Sequence, residues 1–333
     1  MPAVPSSVLS SRLVKEAAAI VGFDVCGIAP AGHIADYAAI YEWKNAHGYN
    51  ADMQYMQNYS EQRYDPCEMV EGARSVICLL SSYNPSRLMT SHQRVARYAY
   101  GEDYHERVKR MLYQLIALLR EHYPAFDGRP CTDTAPVAEK YWAWRAGLGW
   151  IGRNTLIVNP EYGSWCNLGE IITTWQTDDY DQPMDNRCGT CRRCQQACPN
   201  HALREIGSDE IATAHDDGEA QQRDSHTIPL LDARRCASYH TIENRSDSLP
   251  DDIRLSNYIF GCDICQQACP YNQQAPARLE ISPSRIEELE NLATCDEKTF
   301  KHTAKHSALN RIKYAQLLRN RNTKDTPPPH DGQ

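Results

Sequence analysis

Apolar positions in the first third of the chain follow two rhythms, one helical and one continuous. Leu13, Val14, Ala17, Ala18 and Val21 recur at helical intervals, with Ser10 or Ser11 as N-cap and Gly22 as a left-handed stop, predicting a first helix over residues 11–21. Residues 23–29 read as a short strand ending before Pro30, with Cys26 as a small core residue. Residues 43–59 place aromatic and polar side chains at helical spacing, which suits a half-buried helix or a pocket wall. Residues 75–80 form an unbroken apolar run that predicts a buried strand. Residues 94–105 are dense in arginine and tyrosine and read equally as a ligand-facing loop or a solvated turn. Val108, Met111, Leu112, Leu115, Ile116 and Leu119 then stripe a helix over residues 106–123, which Pro124 stops.

The next stretch predicts a helix over residues 137–145, with Thr134 as N-cap, Pro136 in the first turn and Gly147 at the end. Asp133 lies just ahead of it. Read locally, it is a carboxylate favoured by the helix dipole, or a proton donor whose pKa burial would raise; the cap is the simpler role. Strands over residues 155–158 and 168–175 flank a turn. Alternating helices and strands over residues 1–180 predict an α/β (α+β) core domain with a mixed sheet, closed by an acidic turn at 177–183. Residues 181–280 form a second, cysteine-rich domain, in which residues 206–227 read as a solvated acidic insertion. Residues 281–322 form a helical C-terminal segment and 323–333 a disordered tail. Within that segment, residues 308–321 read as one basic helix whose Arg311, Lys313, Arg319 and Arg321 face solvent or RNA phosphate.

Composition narrows the classes. The 333 residues suffice for one to three domains, and a formal charge of −8 leaves no global footprint for nucleic acid. No apolar run approaches the roughly 18 residues of a membrane span, and the N-terminus lacks a secretory pattern. Fourteen cysteines in such a chain point to a reducing cytoplasm and to metal rather than disulfides.

The cysteines supply the chemistry. Cys188, Cys191, Cys194 and Cys198, followed by Pro199, reproduce the C-x2-C-x2-C-x3-C-P run of two-cluster ferredoxins, in which the fourth cysteine ligates the other cluster. Cys262, Cys265 and Cys269, followed by Pro270, repeat the run one cysteine short, and Cys236 makes up the deficit. By that crossed logic, Cys188, Cys191, Cys194 and Cys269 hold one [4Fe–4S] cluster, and Cys198, Cys236, Cys262 and Cys265 the other. Structural zinc and a disulfide framework are the bland readings, and zinc does not need the interlocked pattern twice.

Several motifs resemble the epoxyqueuosine reductase family. They are the stretch from Arg97 through Tyr104 to His105, the run of Asp133, Thr134, Ala135 and Pro136, and the glycine-rich run from Gly147 to Leu156. Glu161, Tyr162, Gly163 and Ser164 resemble it too, as do Cys236 to Glu243 and Gly261 to Pro270. The resemblance implies an enzyme of tRNA modification, cytoplasmic and monomeric, that reduces epoxyqueuosine at the wobble position to queuosine. It implies a cobalamin held between the core and a ferredoxin-like two-cluster domain, fed by an external electron donor. It assigns Asp133 as proton donor and cobalamin contact. Arg63, Arg97, Ser238, Arg245 and Asp263 fall at further cobalamin positions, and Ile242 and Asn244 where the family approaches tRNA. Cys67, Cys78, Cys131, Cys166 and Cys295 match no ligand position. His240 stands where an apolar residue is more usual, the segment between Cys198 and Cys236 is long, and the helical-repeat extension of some members is missing. The enzymatic alternative is a cobalamin and iron–sulfur reductive dehalogenase, usually marked by a twin-arginine signal. Other classes are a ferredoxin-type electron-transfer protein and a zinc-stabilised RNA-binding protein.

Overall fold

The computed structural model describes residues 8–212 and 227–323. Helix α1 (Ser11–Val21) ends at Gly22 with φ +103°, and its buried Val14, Ala17 and Ala18 lie on the expected face. Strand β1 (Val25–Pro30) runs one residue further than expected, because Pro30 sits at the strand's end, where a missing N–H costs nothing. After helix α2 (Ala35–Ala46) come β2 (Ser75–Ser82), α3 (Tyr104–His122), β3 (Arg129–Cys131), α4 (Glu139–Arg145) and β4 (Cys166–Thr173). The four strands form one sheet in the order β1-β2-β4-β3. Every pairing in it is antiparallel, so the expected mixed sheet is corrected.

Strand β2 is buried along its whole length because both faces of the sheet are covered. Ile77 and Leu79 point into a core with Val14, Leu112, Leu115 and Phe126, beneath α1 and α3. Val76, Cys78 and Leu80 point into the other core, with Tyr41, Tyr141 and Trp142 of α2 and α4. Gly27 lets α4 come close: a Cβ there would lie 2.0 Å from the Ala146 carbonyl oxygen.

Three expectations are corrected here. The helix expected over residues 43–59 begins earlier and stops at Ala46; Gly48 and Ala51 then turn left-handed, and single turns follow. Helix α4 starts at Glu139, and the Thr134 hydroxyl donates to the Thr132 carbonyl (3.2 Å) instead of capping it. Residues 308–321 are not one helix. A short turn at Ala308–Arg311 is separated from the final helix by Ile312, which is extended and buried in the same core as Leu309.

The cysteine-rich region begins with helix α5 (Arg193–Ala197) and strand β5 (Leu203–Gly207), followed by α6 (Ser208–Ala212). Strand β6 (Thr227–Leu231) pairs antiparallel with β5, so the ends of the expected solvated insertion are a β-hairpin. Its Ile206, Ile211 and Leu230 pack with Ile40 and Trp43 of α2, and that burial overrides the acidic composition. Asp216, Asp217 and Glu219 lie outside the described residues, as does the tail from residue 324. Helix α7 (Ala237–Ile242), strand β7 (Tyr258–Phe260) and α8 (Ile264–Gln267) complete the region. The C-terminal helices α9 (Pro283–Asn291), α10 (Glu297–Ala304) and α11 (Tyr314–Asn322) share a core with Val95, Ala99, Tyr100 and Phe260.

Candidate active site and cluster region

A cavity of about 1600 Å³ opens between α2, α4, the β5–β6 hairpin and the end of α7. Residues 49–59, which turn rather than continue α2, give it Tyr49, Met53, Tyr55, Met56 and Tyr59. Tyr98 of the stretch before α3, and Tyr104 and His105 of the first turn of α3, line it as well.

Asp133 stands in the wall in a left-handed conformation (φ +48°), after β3 and six residues ahead of α4, so it does not cap that helix. Its Oδ2 accepts from the Tyr104 hydroxyl (2.7 Å) and lies 2.8 Å from His105 Nε2. The other ring nitrogen of His105 lies 2.6 Å from Oδ1 of Asp103, the N-cap of α3. The Asp133 side chain keeps 53% of its surface open where it lines the cavity. Burial there works against its charge, but the bonds from His105 and Tyr104 and the charges of His105 and Arg311 hold its pKa below the usual carboxylate value. His105 moves the opposite way: burial disfavours its charge, and Asp133 and Asp103 outweigh burial and raise it.

Two carboxyl groups were not singled out by sequence. Glu139, the first residue of α4, accepts the Asp133 backbone N–H, and burial followed by the Asp133 charge pushes it up to about 8. Glu170 of β4 is fully buried opposite Cys78 and Cys131, and neither of its oxygens has a partner. Burial, then Glu139 and Asp133, push it well above the ordinary range. A glutamate inside the apolar run of β4 was the available signal.

The eight candidate cluster cysteines divide electrostatically into two sets. Burial raises Cys194 to about 11, and its cysteine neighbours are Cys188, Cys269 and Cys191. Cys269, also raised first by burial, feels Cys188 and Cys191. Cys262 feels Cys236 and Cys198 after burial, and Cys265 feels Cys262, Cys236 and Cys198 ahead of Cys194. Trp150 joins the first set to the cavity: it lines the wall, and its indole N–H donates to Cys188 Sγ (3.4 Å). The Ala202 N–H donates to Cys198 Sγ (3.3 Å) in the second.

Of the other nominated residues, Arg63 and Ile242 line the cavity. Arg63 stacks 5.1 Å over the Tyr41 ring, and its buried Nε has no partner. Arg97, Ser238, Arg245, Asp263 and Asn244 lie outside the lining. The Arg97 guanidinium sits 4.3 Å over Trp165 and donates to Asn84 (3.2 Å), while its backbone N–H donates to Asp263 Oδ2 (2.8 Å). Asp263 is pushed by burial up to about 6, and its Oδ1 has no partner. Ser238 is half-buried on α7, where its carbonyl accepts the Thr241 hydroxyl (3.0 Å). Arg245 donates to Gln316 (2.6 Å), and Asn244 is buried with its amide 3.1 Å from His240 Nδ1.

The basic side chains near the C-terminus are largely spent inside the fold. Arg319 donates to the carbonyls of His240 (2.6 Å), Asn244 (2.9 Å) and Ser246 (2.6 Å), satisfying the end of α7. Arg321 donates to the Cys295 carbonyl (3.1 Å) and Arg311 pairs with Glu243 (3.0 Å). Among the described residues no helix is long and apolar enough to cross a membrane.

Comparison with known proteins brings the two halves under one family. A profile described as epoxyqueuosine reductase QueG matches residues 63–134, and one described as a 4Fe-4S double cluster binding domain matches 187–272. An epoxyqueuosine reductase of Cyclobacterium marinum is 37% identical over 93% of this chain and 95% of its own length. One from Synechocystis is also 37% identical, over 88% of this chain and 98% of its own. The solved epoxyqueuosine reductase of Streptococcus thermophilus superimposes with TM-score 0.75 at 27% identity, covering 92% of this chain and 78% of that one. A crystal structure of epoxyqueuosine reductase with an epoxyqueuosine-modified tRNA-Tyr stem loop gives TM-score 0.73 at 25% identity, covering 93% of this chain and 79% of that one.

Proposed function

The chain belongs to the epoxyqueuosine reductase family, and from that premise we propose that it reduces epoxyqueuosine to queuosine at the wobble position of tRNA. The cofactors are cobalamin and two [4Fe–4S] clusters. The residues present fit them. Eight thiols in two sets match two clusters of four ligands. The cavity offers aromatic walls for a flat macrocycle, with the partnerless Arg63 Nε as a donor for its polar rim. Bound there, cobalamin would supply the reducing electrons, drawn from an external donor through the clusters.

The protein's own part is to hold the tRNA nucleoside and to manage protons. Opening an epoxide leaves an alkoxide, so an acid at the oxygen lowers the barrier. Asp133 delivers that proton, held between its carboxylate and the protonated His105, with Tyr104 orienting it. Trp150, between the first cysteine set and the cavity, shortens the gap that electrons cross. Arg97 and Asp263 fix the turn that carries Tyr98; Ile242 offers an apolar edge to the nucleoside. Ser238, Arg245 and Asn244 serve by shaping α7 and the turn after it. The enzyme works as a cytoplasmic monomer, with the corrinoid between residues 1–180 and 181–280 and the clusters in 181–280.

The observation that carries this reading is an acid clamped in the wall of a large cavity that also touches the cysteine region. It is tested by anaerobic incubation of the fully loaded protein with a strong reductant and epoxyqueuosine-containing tRNA, followed by nucleoside mass spectrometry. Queuosine should form, and Asp133→Asn should slow its formation on the order of 10²- to 10⁴-fold. No conversion by protein with verified cobalt and iron would overturn the assignment.

A further inference from the structure

One short hairpin of the core domain reaches the loop that carries Cys188, Cys191 and Cys194. Its strands, Trp150–Ile151 and Ile157–Val158, pair antiparallel, and the Thr155 N–H donates to the Gly152 carbonyl (2.8 Å) in the turn between them. Trp150 donates to Cys188 Sγ, and the Ile151 carbonyl accepts from Asn186 (3.2 Å), whose own Oδ1 accepts the Cys188 N–H (2.8 Å). Arg153, in the turn, donates through Nη2 to the carbonyl of Gly189 (2.9 Å), between two of the cysteines. We propose that Arg153 is a positioning residue for the first cluster: it holds the ligand loop to the core and, with Glu205, sets the charge under which that cluster takes up an electron. The inference rests on the cofactor reading above.

The ion pairing there is built around a single carboxylate. Glu205 of β5 takes Arg153 on one oxygen and Arg192 on the other. Arg192 belongs to the ligand run itself, between Cys191 and Cys194, and its Nη1 also donates to Gln195 (3.2 Å). Arg153 thus holds the loop at two points, directly at the Gly189 backbone and through Glu205 at Arg192. Two guanidinium groups stand against one carboxylate, so the trio keeps a positive charge beside the first cysteine set. Water screens that charge poorly at Arg153: the side chains of Arg153 and Glu205 are only 18% and 10% exposed, and the Arg153 Nε is closed to solvent with no partner. A cluster held by four thiolates becomes more negative on reduction, so a nearby cation favours the reduced state and a nearby anion opposes it. Lysine at 153 would keep the charge but not the planar fork that reaches a carbonyl and a carboxylate at once.

A redox titration followed by electron paramagnetic resonance, on protein reconstituted with both clusters and without tRNA, tests this. Arg153→Gln removes the cation and should disfavour reduction of the first cluster about three- to tenfold, a midpoint lower by ~30–60 mV at 59 mV per tenfold. Glu205→Gln removes the anion and should raise that midpoint by a comparable amount, and the double variant should return it toward the starting value. Both shifts should persist in the Cys198→Ser background, where the first cluster remains, and the second cluster should move less. Arg153→Lys should keep the midpoint close to that of the unsubstituted protein, while its loop, held at one point fewer, gives up iron faster to a chelator. A bracing role alone gives no shifts of opposite sign, so midpoints that stay in place, or that fall in both single variants, would overturn the proposal. Should Arg153→Gln fail to retain its cluster, the direction of the Glu205→Gln shift decides by itself. If the reconstituted protein holds no [4Fe–4S] cluster, the cofactor reading fails; if it holds two and neither glutamine variant shifts a midpoint, only this inference fails.

Discussion

Replacing Asp133 by asparagine should weaken the hold of His105 on its proton. The imidazole lies between two carboxylates, 2.8 Å from Asp133 and 2.6 Å from Asp103. Both ring nitrogens can donate at once only when the ring is protonated. Asparagine keeps the shape and removes one of the two negative partners. A hydrogen bond to a charged group contributes about 1.5–3 kcal/mol, and the 53% exposure of the Asp133 side chain brings this toward about 1–1.5 kcal/mol. That corresponds to a roughly tenfold loss of proton affinity at His105. The direction in pH follows from both partners. His105 is raised, so its contribution is full below the ordinary histidine range and is lost as pH rises through its folded value. Asp133 is lowered, so its contribution is present above the ordinary carboxylate range and is lost as pH falls through its folded value. The pair is therefore intact from weakly acidic to neutral pH. Nitrogen-15 NMR of histidine-labelled protein reads it directly, with His105→Gln assigning one signal among the twelve histidines. A His105 midpoint that stays in place in Asp133→Asn, or moves upward, would refute the clamp.

The crossed cysteine sets and the Trp150 contact give two further expectations. Cys269→Ser should damage the cluster of Cys188, Cys191 and Cys194, whereas Cys198→Ser should damage that of Cys236, Cys262 and Cys265, each lowering iron from about eight per chain toward about four. Electron paramagnetic resonance of the two variants should show complementary signals; identical spectra would count against the crossing. Trp150→Phe removes the N–H donated to Cys188 and should lower the potential of one cluster on the order of 20–60 mV, since such donors favour the reduced state. That change should persist in the Cys198→Ser background and vanish in Cys269→Ser.

Where local periodicity decides the conformation, the chain was readable from sequence. The stripe of α3 and the left-handed Gly22 after α1 follow from spacing and glycine freedom alone. Elements governed by distant partners were not readable in the same way. Residues 49–59 look helical by aromatic spacing, but their rings face a cavity whose opposite wall comes from the β5–β6 hairpin. The hairpin itself was hidden because acidic residues dominate the composition between its strands, while the few apolar ones that meet α2 decide the outcome. Arg319 carries a charge suggestive of solvent or phosphate, yet three backbone carbonyls at the end of α7 take its donors. A helix end needs such partners wherever it is buried, and nothing near position 319 in sequence announces that need.

The candidate site divides along the same line. Thiolate ligands must be supplied in sets at short intervals, so the cysteine spacing exposes the cluster region without any knowledge of the fold. A carboxyl group declares its chemistry only through its surroundings. Asp133 and Asp263 are the same residue type, yet hydrogen bonds and nearby charge lower the first while burial raises the second to about 6. Local sequence reading made Asp133 a cap because a helix follows it, and the fold begins that helix six residues later, at Glu139. That delay frees Asp133 to face the cavity and puts Glu139 against its backbone. The same shift thus separates the acid from a structural duty and sets a second carboxyl beside it. The chemistry of this wall follows from where α4 starts, a property of packing against β2 and β4 rather than of any motif.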